Sequence, residues 1–251
     1  MIKSSINNGT AVITLNRPEK RNALHPKLIQ ELKVKLEELK NDSAIKVVIL
    51  TGEGSSFCAG ADLQYLNELK EYSIIENQRD SQNLADLFLS IYKFPKPTIA
   101  AVNGAAIAGG CGLASACDFI VASENSKFGY TEVKIGFIPA IVSIFLIKKI
   151  GEGRAKQLLL SGELISGKRA YEIGLVNYFS ENVMDDSILL AYKLKNNSEY
   201  SFQLTKNMIN KISNLNVEEA VNSCIQLNTI SRSSEDFKTG LNNFLDKTKE
   251  S

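Results

Sequence analysis

Short apolar runs rich in β-branched residues alternate along this chain with segments whose apolar residues recur at helical spacing. The runs cover residues 11–15, 47–51, 98–102 and 119–122. Between the first two runs, leucines and an isoleucine lie on one stripe and Pro26 suits a first helical turn, which predicts a helix over 26–40. The run at 47–51 has no polar interruption, as in a strand that is covered on both faces. The alternation predicts an α/β fold with βαβ units.

The pattern changes after about residue 184, where strand signals stop and polar helical segments follow. These segments lie at about 183–195, 199–213, 217–230 and 233–247. We therefore divide the chain into an α/β region, 1–184, and a C-terminal helical region, 185–251. The helical region is expected to pack on the α/β part or on a neighbouring subunit, and a separable second domain is the alternative.

Composition excludes several classes of protein. Lys plus Arg number 29 and Asp plus Glu number 28, so no global field favours nucleic acid or an anionic membrane. The most apolar stretch, 136–147, is too short to cross a bilayer and contains Pro139. The four cysteines and the single histidine lack metal-ligand spacing, so no metal site is expected. Reduced cysteines and the absence of a charged-then-apolar leader favour a cytoplasmic protein.

Four stretches carry residues suited to binding or catalysis. They are LNRPEKRNAL at 15–24, FCAGADL at 57–63, NGAAIAGGCG at 103–112 and FGYTEV at 128–133. The first contains three cations and suits the binding of phosphates, although a solvent-exposed loop with no ligand would have the same composition. The small residues of the second and third allow a ligand close to the backbone. In the fourth, Glu132 stands at an expected helix start, where the helix dipole alone would favour an acid.

Nucleotide-binding motifs do not explain the glycine cluster at 103–112. No Gly-Lys-Ser/Thr follows it, which excludes a P-loop, and Ser115 stands where a Rossmann motif has its third glycine. Taken in order, however, the four stretches resemble the crotonase (enoyl-CoA hydratase/isomerase) superfamily, and the resemblance covers nearly the whole chain. It implies a crotonase-like ββα spiral core with a C-terminal helical trimerisation layer. It also implies an acyl-CoA substrate, trimers or paired trimers, and no cofactor other than the coenzyme A of the substrate.

The resemblance also implies roles for individual residues. The backbone amides of Ala61 and Gly109 would form an oxyanion hole for the thioester carbonyl, each donor being worth about 3 kcal/mol. Glu132 would move a proton at the acyl carbons. The residues expected to bind substrate are Lys20, Arg21, Ala23, Leu24, Ala59, Asp62, Leu63, Gly110, Gly112, Phe244 and Lys247. Lys20 and Arg21 would lie near the nucleotide phosphates. Phe244 and Lys247 would reach the coenzyme A of a neighbouring subunit, or belong to a plain amphipathic end helix.

Two departures from the family pattern bear on the reaction. Gly112 stands where two-glutamate hydratases carry their first catalytic glutamate. The apolar segment 138–145 replaces a glycine-rich turn followed by Thr-Gln, so we expect a more apolar acyl pocket and note a looser likeness to enzymes of branched-chain acyl-CoA breakdown. A glutamate introduced at Gly112 is expected to raise hydration if it fits without distorting Gly109.

Three functions follow in order of preference. Hydration of a 2-enoyl-CoA is the first, and Δ3-to-Δ2 enoyl-CoA isomerisation, which needs only one base, is the close alternative that Gly112 favours. One carboxylate can contribute about 10²–10⁴-fold to either reaction. The third is a non-catalytic paralogue that binds acyl-CoA or RNA through local basic loops. The near-zero net charge argues against RNA, and Glu132 argues for catalysis.

Overall fold

The computed structural model describes residues 1–249, and their side chains through residue 246. Strands β1 to β10 are Ile2–Asn7, Thr10–Leu15, Val47–Gly52, Ser56–Cys58, Thr98–Val102, Ala105–Ile107, Phe119–Ala122, Lys127–Gly129, Leu164–Ser166 and Tyr178–Phe179. Helices α1 to α10 are Pro26–Asn41, Leu63–Glu68, Ile74–Tyr92, Gly109–Ala116, Ala140–Ser161, Gly167–Glu172, Val183–Leu194, Glu199–Ile212, Val217–Arg232 and Glu235–Lys249. Short 3₁₀ helices lie at Pro18–Lys20, Leu69–Glu71 and Glu132–Ile135.

Successive turns of the chain add one strand to each of two sheets. The first sheet has the order β1-β2-β3-β5-β7-β10, and the second has the order β4-β6-β8-β9. Strands β3, β5 and β7 are parallel neighbours in the first sheet, and β4, β6 and β8 are parallel neighbours in the second. A helix follows each pair of strands, so the chain winds as a spiral of ββα units. The predicted fold class, a crotonase-like spiral core, is thereby confirmed.

Burial explains why these segments take these forms. All six residues of β3 are buried, as expected for a strand that is covered on both faces. The stripe on α1 is buried as well, since Leu28, Leu32 and Leu36 are at most 4% exposed. Pro26 begins α1, and Nδ1 of His25 accepts a hydrogen bond from the Lys27 amide at 3.2 Å, which caps the helix.

Every strand and helix that has bounds from the sequence is present, whereas β1, the long helices α3 and α5 and the short strands have no sequence prediction. All four predicted strands are present as β2, β3, β5 and β7, and the four C-terminal helical segments are α7 to α10. The three-residue strands β4, β6 and β8 were not predicted, because three residues are too few to show an alternation. These are the strands that carry the site.

The chain divides into two compact units, one from Met1 to Tyr192 and one that begins at Lys193. The division predicted from sequence, after residue 184, lies in the same helix, α7. The second unit contains α8, α9 and α10, and α9 is packed with both of its neighbours in sequence. Within the described part of the chain, no helix is both long and apolar enough to cross a membrane.

Candidate active site

Three adjacent parallel strands end at one edge of the second sheet, and each leads into a predicted catalytic residue. The segment after β4 reaches Ala61, the one after β6 reaches Gly109, and the one after β8 reaches Glu132. The register pairs Cys58 with Ala106 and Ile107 with Gly129, so the three segments leave the sheet side by side. Ligands bind outside the carboxyl ends of parallel strands in many α/β proteins. This edge is therefore the candidate active site.

The Ala61 amide is oriented by the residues on either side of it. Leu24 pairs with Ala61 in an isolated parallel bridge, in which the Leu24 amide donates to the Gly60 carbonyl at 2.6 Å and the Asp62 amide donates to the Leu24 carbonyl at 2.9 Å. Successive amides of an extended chain point in opposite directions. The Ala61 N–H therefore points away from Leu24, and it makes no hydrogen bond with any described residue.

The Gly109 amide begins helix α4, where the first N–H groups have no partner within the helix. Ala108 directly before it has φ 50° and ψ −119°, a strained conformation for a residue with a side chain. Gly60 packs against this turn, because a Cβ there would lie 3.0 Å from the Ile107 carbonyl oxygen and 3.1 Å from the Ala108 Cβ. The segments that carry the Ala61 and Gly109 amides are thus in direct contact.

Glu132 begins the 3₁₀ helix 132–135 and is only 8% exposed. Its Oε2 atom is buried and has no hydrogen-bond partner among the described residues. Burial raises the pKa of this carboxyl, although the Glu132 backbone amide partly opposes the shift. A raised pKa and a free oxygen suit a group that takes up and returns a proton near neutral pH.

Buried thiol and hydroxyl groups lie behind Glu132. The Cys111 thiol donates to the Ala106 carbonyl at 3.0 Å and accepts from the Gly129 amide at 3.3 Å, so it ties α4 to both β6 and β8. Burial raises the pKa of this thiol to about 12. The hydroxyls of Ser115 and Tyr130 lie 3.1 Å apart, and burial raises the pKa of Tyr130 well above its usual value. These neutral groups hold α4, β6 and β8 together near Glu132 without adding a charge.

The loop at 15–24 is less open than its three cations suggested. Arg17 is buried and pairs with Asp62, its Nη2 lying 2.8 Å from the carboxylate. Both Asp62 oxygens are used inside the protein, because the other accepts the Gln64 amide and caps α2. Lys20 and Arg21 remain exposed, and Lys20 reaches Gln64 at 3.2 Å. These two cations of the loop are exposed to an anionic ligand, whereas the Asp62 carboxylate faces inwards.

The remaining predicted binding residues in the first unit surround the two amides. Ala23 and Leu24 are buried beside Ala61, and the Ala59 amide donates to the Arg21 carbonyl at 3.0 Å. Gly110 allows α4 to approach β4, because a Cβ there would lie 2.0 Å from the Cys58 carbonyl oxygen. Leu63, at the start of α2, is 78% exposed and presents an apolar side chain to solvent.

Gly112 is packed against neighbouring helices. A Cβ at this position would lie 2.4 Å from Cγ1 of Val142 and 3.1 Å from Cζ of Phe88. A glutamate at residue 112 therefore requires Val142 to move, an obstacle that the sequence does not show. Val142 belongs to the apolar segment 138–145, which is the other departure from the family pattern. Its side chain fills the space that a side chain at residue 112 would occupy, so the two departures are in direct contact.

The two C-terminal predictions lie in the second unit. Phe244 is 66% exposed on α10. The side chain of Lys247 lies outside the described residues. Both therefore remain predictions about a neighbouring subunit. Among the residues that the structure describes, no group of three or more His, Cys, Asp or Glu side chains is arranged to hold a metal ion.

Comparison with known proteins decides the family. The enoyl-CoA hydratase/isomerase family profile matches residues 5–251. The chain belongs to the enoyl-CoA hydratase/isomerase family. It is 41% identical over 239 residues to a Thermus thermophilus protein with the provisional name enoyl-CoA hydratase, covering 94% of each chain. It is 35% identical to the short-chain-enoyl-CoA hydratase of Clostridium acetobutylicum, covering 95% of this chain and 92% of that one.

A solved structure shows the same fold throughout. The crystal structure of an enoyl-CoA hydratase from Polaromonas sp. JS666 superimposes with a TM-score of 0.93 at 31% identity, covering 98% of this chain and 97% of that one. The ββα spiral and the C-terminal helices thus both belong to this enzyme family.

Three functional features of the site were missed from sequence. In the sequence, Arg17 is one of three cations in a loop, Cys111 is one of four cysteines, and Val142 is part of an apolar run. The signal for Arg17 was present, since Asp62 is the acid nearest the Ala61 amide and a buried acid requires a partner. The contacts of Cys111 and Val142 depend on how helices pack, which local sequence does not show.

Proposed function

We propose that this protein hydrates a 2-enoyl-CoA thioester by means of an oxyanion hole and one carboxylate. The observation that carries the proposal is the convergence of Ala61, Gly109 and Glu132 at the ends of three adjacent parallel strands. Among the described residues, the two amides have no partner and the buried carboxylate has one unbonded oxygen, so they can supply the donors and the base that such a reaction needs. The hydratase names of its relatives agree with this assignment.

Each group then has one task. The thioester oxygen accepts hydrogen bonds from the amides of Ala61 and Gly109, which stabilise the negative charge that develops on it. Glu132 takes a proton from water as the water oxygen bonds to C3, and electrons move from the C2–C3 double bond onto the thioester oxygen. The protonated Glu132 returns that proton to C2. Its raised pKa makes the ionised Glu132 a stronger base towards the water proton than an exposed carboxylate would be.

The nucleotide part of the substrate is assigned to the basic loop. Lys20 and Arg21 are exposed cations close to the segment that carries Ala61, and they suit the phosphates of coenzyme A. The proposal needs no cofactor beyond the coenzyme A of the substrate. We further propose a cytoplasmic homotrimer or dimer of trimers that serves fatty-acid or branched-chain acyl-CoA breakdown.

The test is product analysis over a panel of 2-enoyl-CoA and 3-enoyl-CoA esters. We expect 3-hydroxyacyl-CoA from the 2-enoyl esters and a loss of at least about 10²-fold in Glu132→Gln. Binding of acyl-CoA should change little, because glutamine keeps the size and polarity of the side chain. Glu124→Gln, an exposed glutamate on a loop, is the matched control. Wild-type turnover in Glu132→Gln would overturn the assignment of the base.

Δ3-to-Δ2 enoyl-CoA isomerisation is the second candidate, and the contact between Gly112 and Val142 favours it. This apolar contact leaves no space there for a second carboxylate to hold water. An isomerase needs one base to move a proton from C2 to C4, which Glu132 alone could do. The same panel separates the two reactions, since an isomerase forms 2-enoyl-CoA from the 3-enoyl esters without adding water. Salt-sensitive binding without any turnover would instead indicate the non-catalytic class.

A further inference from the structure

A buried ion pair joins the two loops of the site, and the proposed reaction itself assigns it no task. We propose that Arg17 and Asp62 are positioning residues that hold the Ala61 amide in the orientation needed to bind the thioester oxygen. The same contacts tie this amide to the loop that carries Lys20 and Arg21. The inference rests on the proposed function, because it concerns how the oxyanion hole of that site is held in its binding geometry before substrate arrives.

The side chain of Arg17 connects the loop 15–24 with the segment that carries Ala61. Its Nη1 donates to the Ala23 carbonyl at 2.8 Å, and its Nη2 donates to Oδ2 of Asp62 at 2.8 Å. One planar guanidinium therefore bridges the loop 15–24 and the residue that follows Ala61. A lysine, which is a point charge on a flexible stem, could not reproduce both bonds with fixed angles.

Arg17 is itself held firmly in place. Its backbone amide donates to Oδ1 of Asn22 at 2.8 Å, and Asn22 is fully buried with a left-handed φ of 56°. The Asn22 side-chain amide donates in turn to the carbonyls of Glu53 and Ser56 at 2.9 and 2.8 Å. Ser56 begins β4, so the connector is anchored in the strand that leads to Ala61.

Ala61 lies between two points that this connector fixes. Gly60 and Asp62 both bond the backbone of Leu24, and the residue before Leu24 accepts the hydrogen bond from Arg17. The Ala61 N–H shares a peptide plane with the Gly60 carbonyl, so its rotation breaks the hydrogen bond that this carbonyl accepts from Leu24. The Ala59 amide also donates a hydrogen bond to the Arg21 carbonyl. The loop that would bind the phosphates through Lys20 and Arg21 is therefore hydrogen-bonded to the segment whose Ala61 amide would bind the thioester carbonyl.

Stability alone is a weak reason to keep this pair. The side chains of Arg17 and Asp62 are 10% and 6% exposed, and buried ion pairs can often be replaced by apolar residues without loss of stability. Burial by itself would raise the pKa of Asp62, but hydrogen bonds from Arg17 and from the Gln64 amide hold that pKa below its usual value. The pair therefore stays charged and directional, as a positioning role requires.

The experiment compares Asp62→Asn, Arg17→Lys and Arg17→Met with Lys96→Met. Lys96 is a buried cation that bonds the Leu39 and Asp42 carbonyls at the end of α1, away from the site, so it controls for the loss of any buried charge. Two ligands are titrated: a saturated acyl-CoA, and a 3-oxoacyl-CoA, whose enolate places negative charge on the thioester oxygen. Hydrogen exchange of the amides of residues 59–62 is measured without ligand.

We expect Asp62→Asn to weaken binding of the enolate by about tenfold and binding of the saturated ester by less than threefold, with a fall in kcat larger than the change in KM. Arg17→Lys should retain part of the wild-type affinity for the enolate. Exchange at residues 59–62 should become faster in the site variants and stay unchanged in Lys96→Met.

Equal weakening of both ligands, or exchange at 59–62 no faster than in Lys96→Met, would overturn the proposal. Should Arg17→Met fail to fold, Asp62→Asn still decides the question, because asparagine keeps the size and the capping oxygen of Asp62. Should the wild-type protein turn over no enoyl-CoA, the proposed function fails. The exchange data would still test whether Arg17 and Asp62 hold the Ala61 segment.

Discussion

At the scale of single residues, Glu132 combines burial with an unsatisfied oxygen. Its Oε2 has no hydrogen-bond partner among the described residues, and burial raises the pKa of the carboxyl. Taking a charged carboxylate out of water without a partner is unfavourable. Cys111 and Tyr130 next to it are held neutral by burial and offer no compensating cation. Such an arrangement is typical of a group kept for chemistry rather than for stability.

The first prediction is a pH dependence. Glu132 must be ionised to accept a proton, so the raised pKa moves the acid limb of kcat above the usual carboxyl value of 4.5. The raised pKa also means that the ionised form destabilises the fold as pH rises through it. Glu132→Gln should therefore be more stable than wild type at pH 8, and the gain should shrink as pH falls towards 4.5. Thermal unfolding and pH–rate profiles measure both effects.

Glu124→Gln is the control for this pH dependence, since Glu124 is exposed. It should show no such gain in stability at either pH. Two results together would contradict this explanation: an acid limb of kcat at or below the usual carboxyl pKa, and no gain in stability in Glu132→Gln. They would show that burial does not destabilise the ionised Glu132.

The second prediction concerns Gly112 and Val142. Gly112→Glu alone should lower the melting temperature and give no gain in hydration, because Val142 occupies the space for its Cβ. Adding Val142→Gly removes that obstacle. The double variant should hydrate a 2-enoyl-CoA at least about tenfold faster than Val142→Gly alone, since a second carboxylate can then hold the water. Steady-state hydration rates of the three variants make the comparison.

A double variant no faster than Val142→Gly would show that one carboxylate already suffices for water addition. A loss of isomerase activity without any gain in hydratase activity would point to the second candidate function instead.

At the scale of elements, the sequence pattern predicts what is long and periodic. The buried strand β3 and the leucine stripe of α1 are each visible because many residues repeat one signal. The short strands β4, β6 and β8 carry no such repeat, and each follows a strand of the first sheet and pairs with its neighbours in the second. The 3₁₀ helix at Glu132 was expected as a helix start, since an acid there gains from the helix dipole.

One element depends on a single distant side chain. Lys96 is 2% exposed, and its Nζ lies 2.7 Å from the Leu39 carbonyl and 2.6 Å from the Asp42 carbonyl. It thus satisfies carbonyls at the C-terminal end of α1, where a positive charge also favours the helix dipole.

The third prediction follows from this cap. Lys96→Met should lower the free energy of unfolding by about 1–3 kcal/mol, because buried carbonyls lose their partner. It should leave kcat within twofold of wild type. Lys93→Met, an exposed lysine three positions earlier, is the matched control and should change neither quantity. Chemical denaturation measures the difference, and equal stabilities of the two variants would show that the Lys96 bonds contribute nothing net.

At the scale of the whole molecule, Ala61, Gly109 and Glu132 each lie in a recognisable motif, and the structure brings the three motifs to one edge of a sheet. The sequence could not show that Val142 fills the space beside Gly112, or that Arg17 bonds Asp62. The two residues of each pair are far apart in the sequence and come into contact only in the folded structure. A local sequence pattern therefore cannot predict these contacts. The family resemblance implies roles for these residues, and the packing shows which contacts they make.

The second unit carries apolar surfaces that suit the proposed assembly. Apolar side chains at helical spacing are exposed on α9, where Val217, Val221 and Ile225 are 79%, 52% and 57% exposed. Phe237 and Leu241 repeat the pattern on α10 at 42% and 43%. Extended apolar stripes on a protein surface mark interaction sites more often than free surface. Because they lie in the helical layer, they are the surfaces that we assign to contacts between copies of this chain.

The last prediction tests that assignment. Ile225→Glu places a charge in the α9 stripe, so it should convert the assembly to smaller species in light scattering at micromolar concentration, because burial of an unpaired carboxylate opposes association. Gln226→Glu adds the same charge at an exposed residue next to the stripe and should leave the mass unchanged. If Phe244 and Lys247 also reach the coenzyme A of a neighbour, Ile225→Glu should raise KM more than it lowers kcat, since a remote contact with the substrate is lost while Glu132 stays in place. A monomeric wild-type protein, or a dissociated variant with wild-type KM, would place the entire coenzyme A site within one chain.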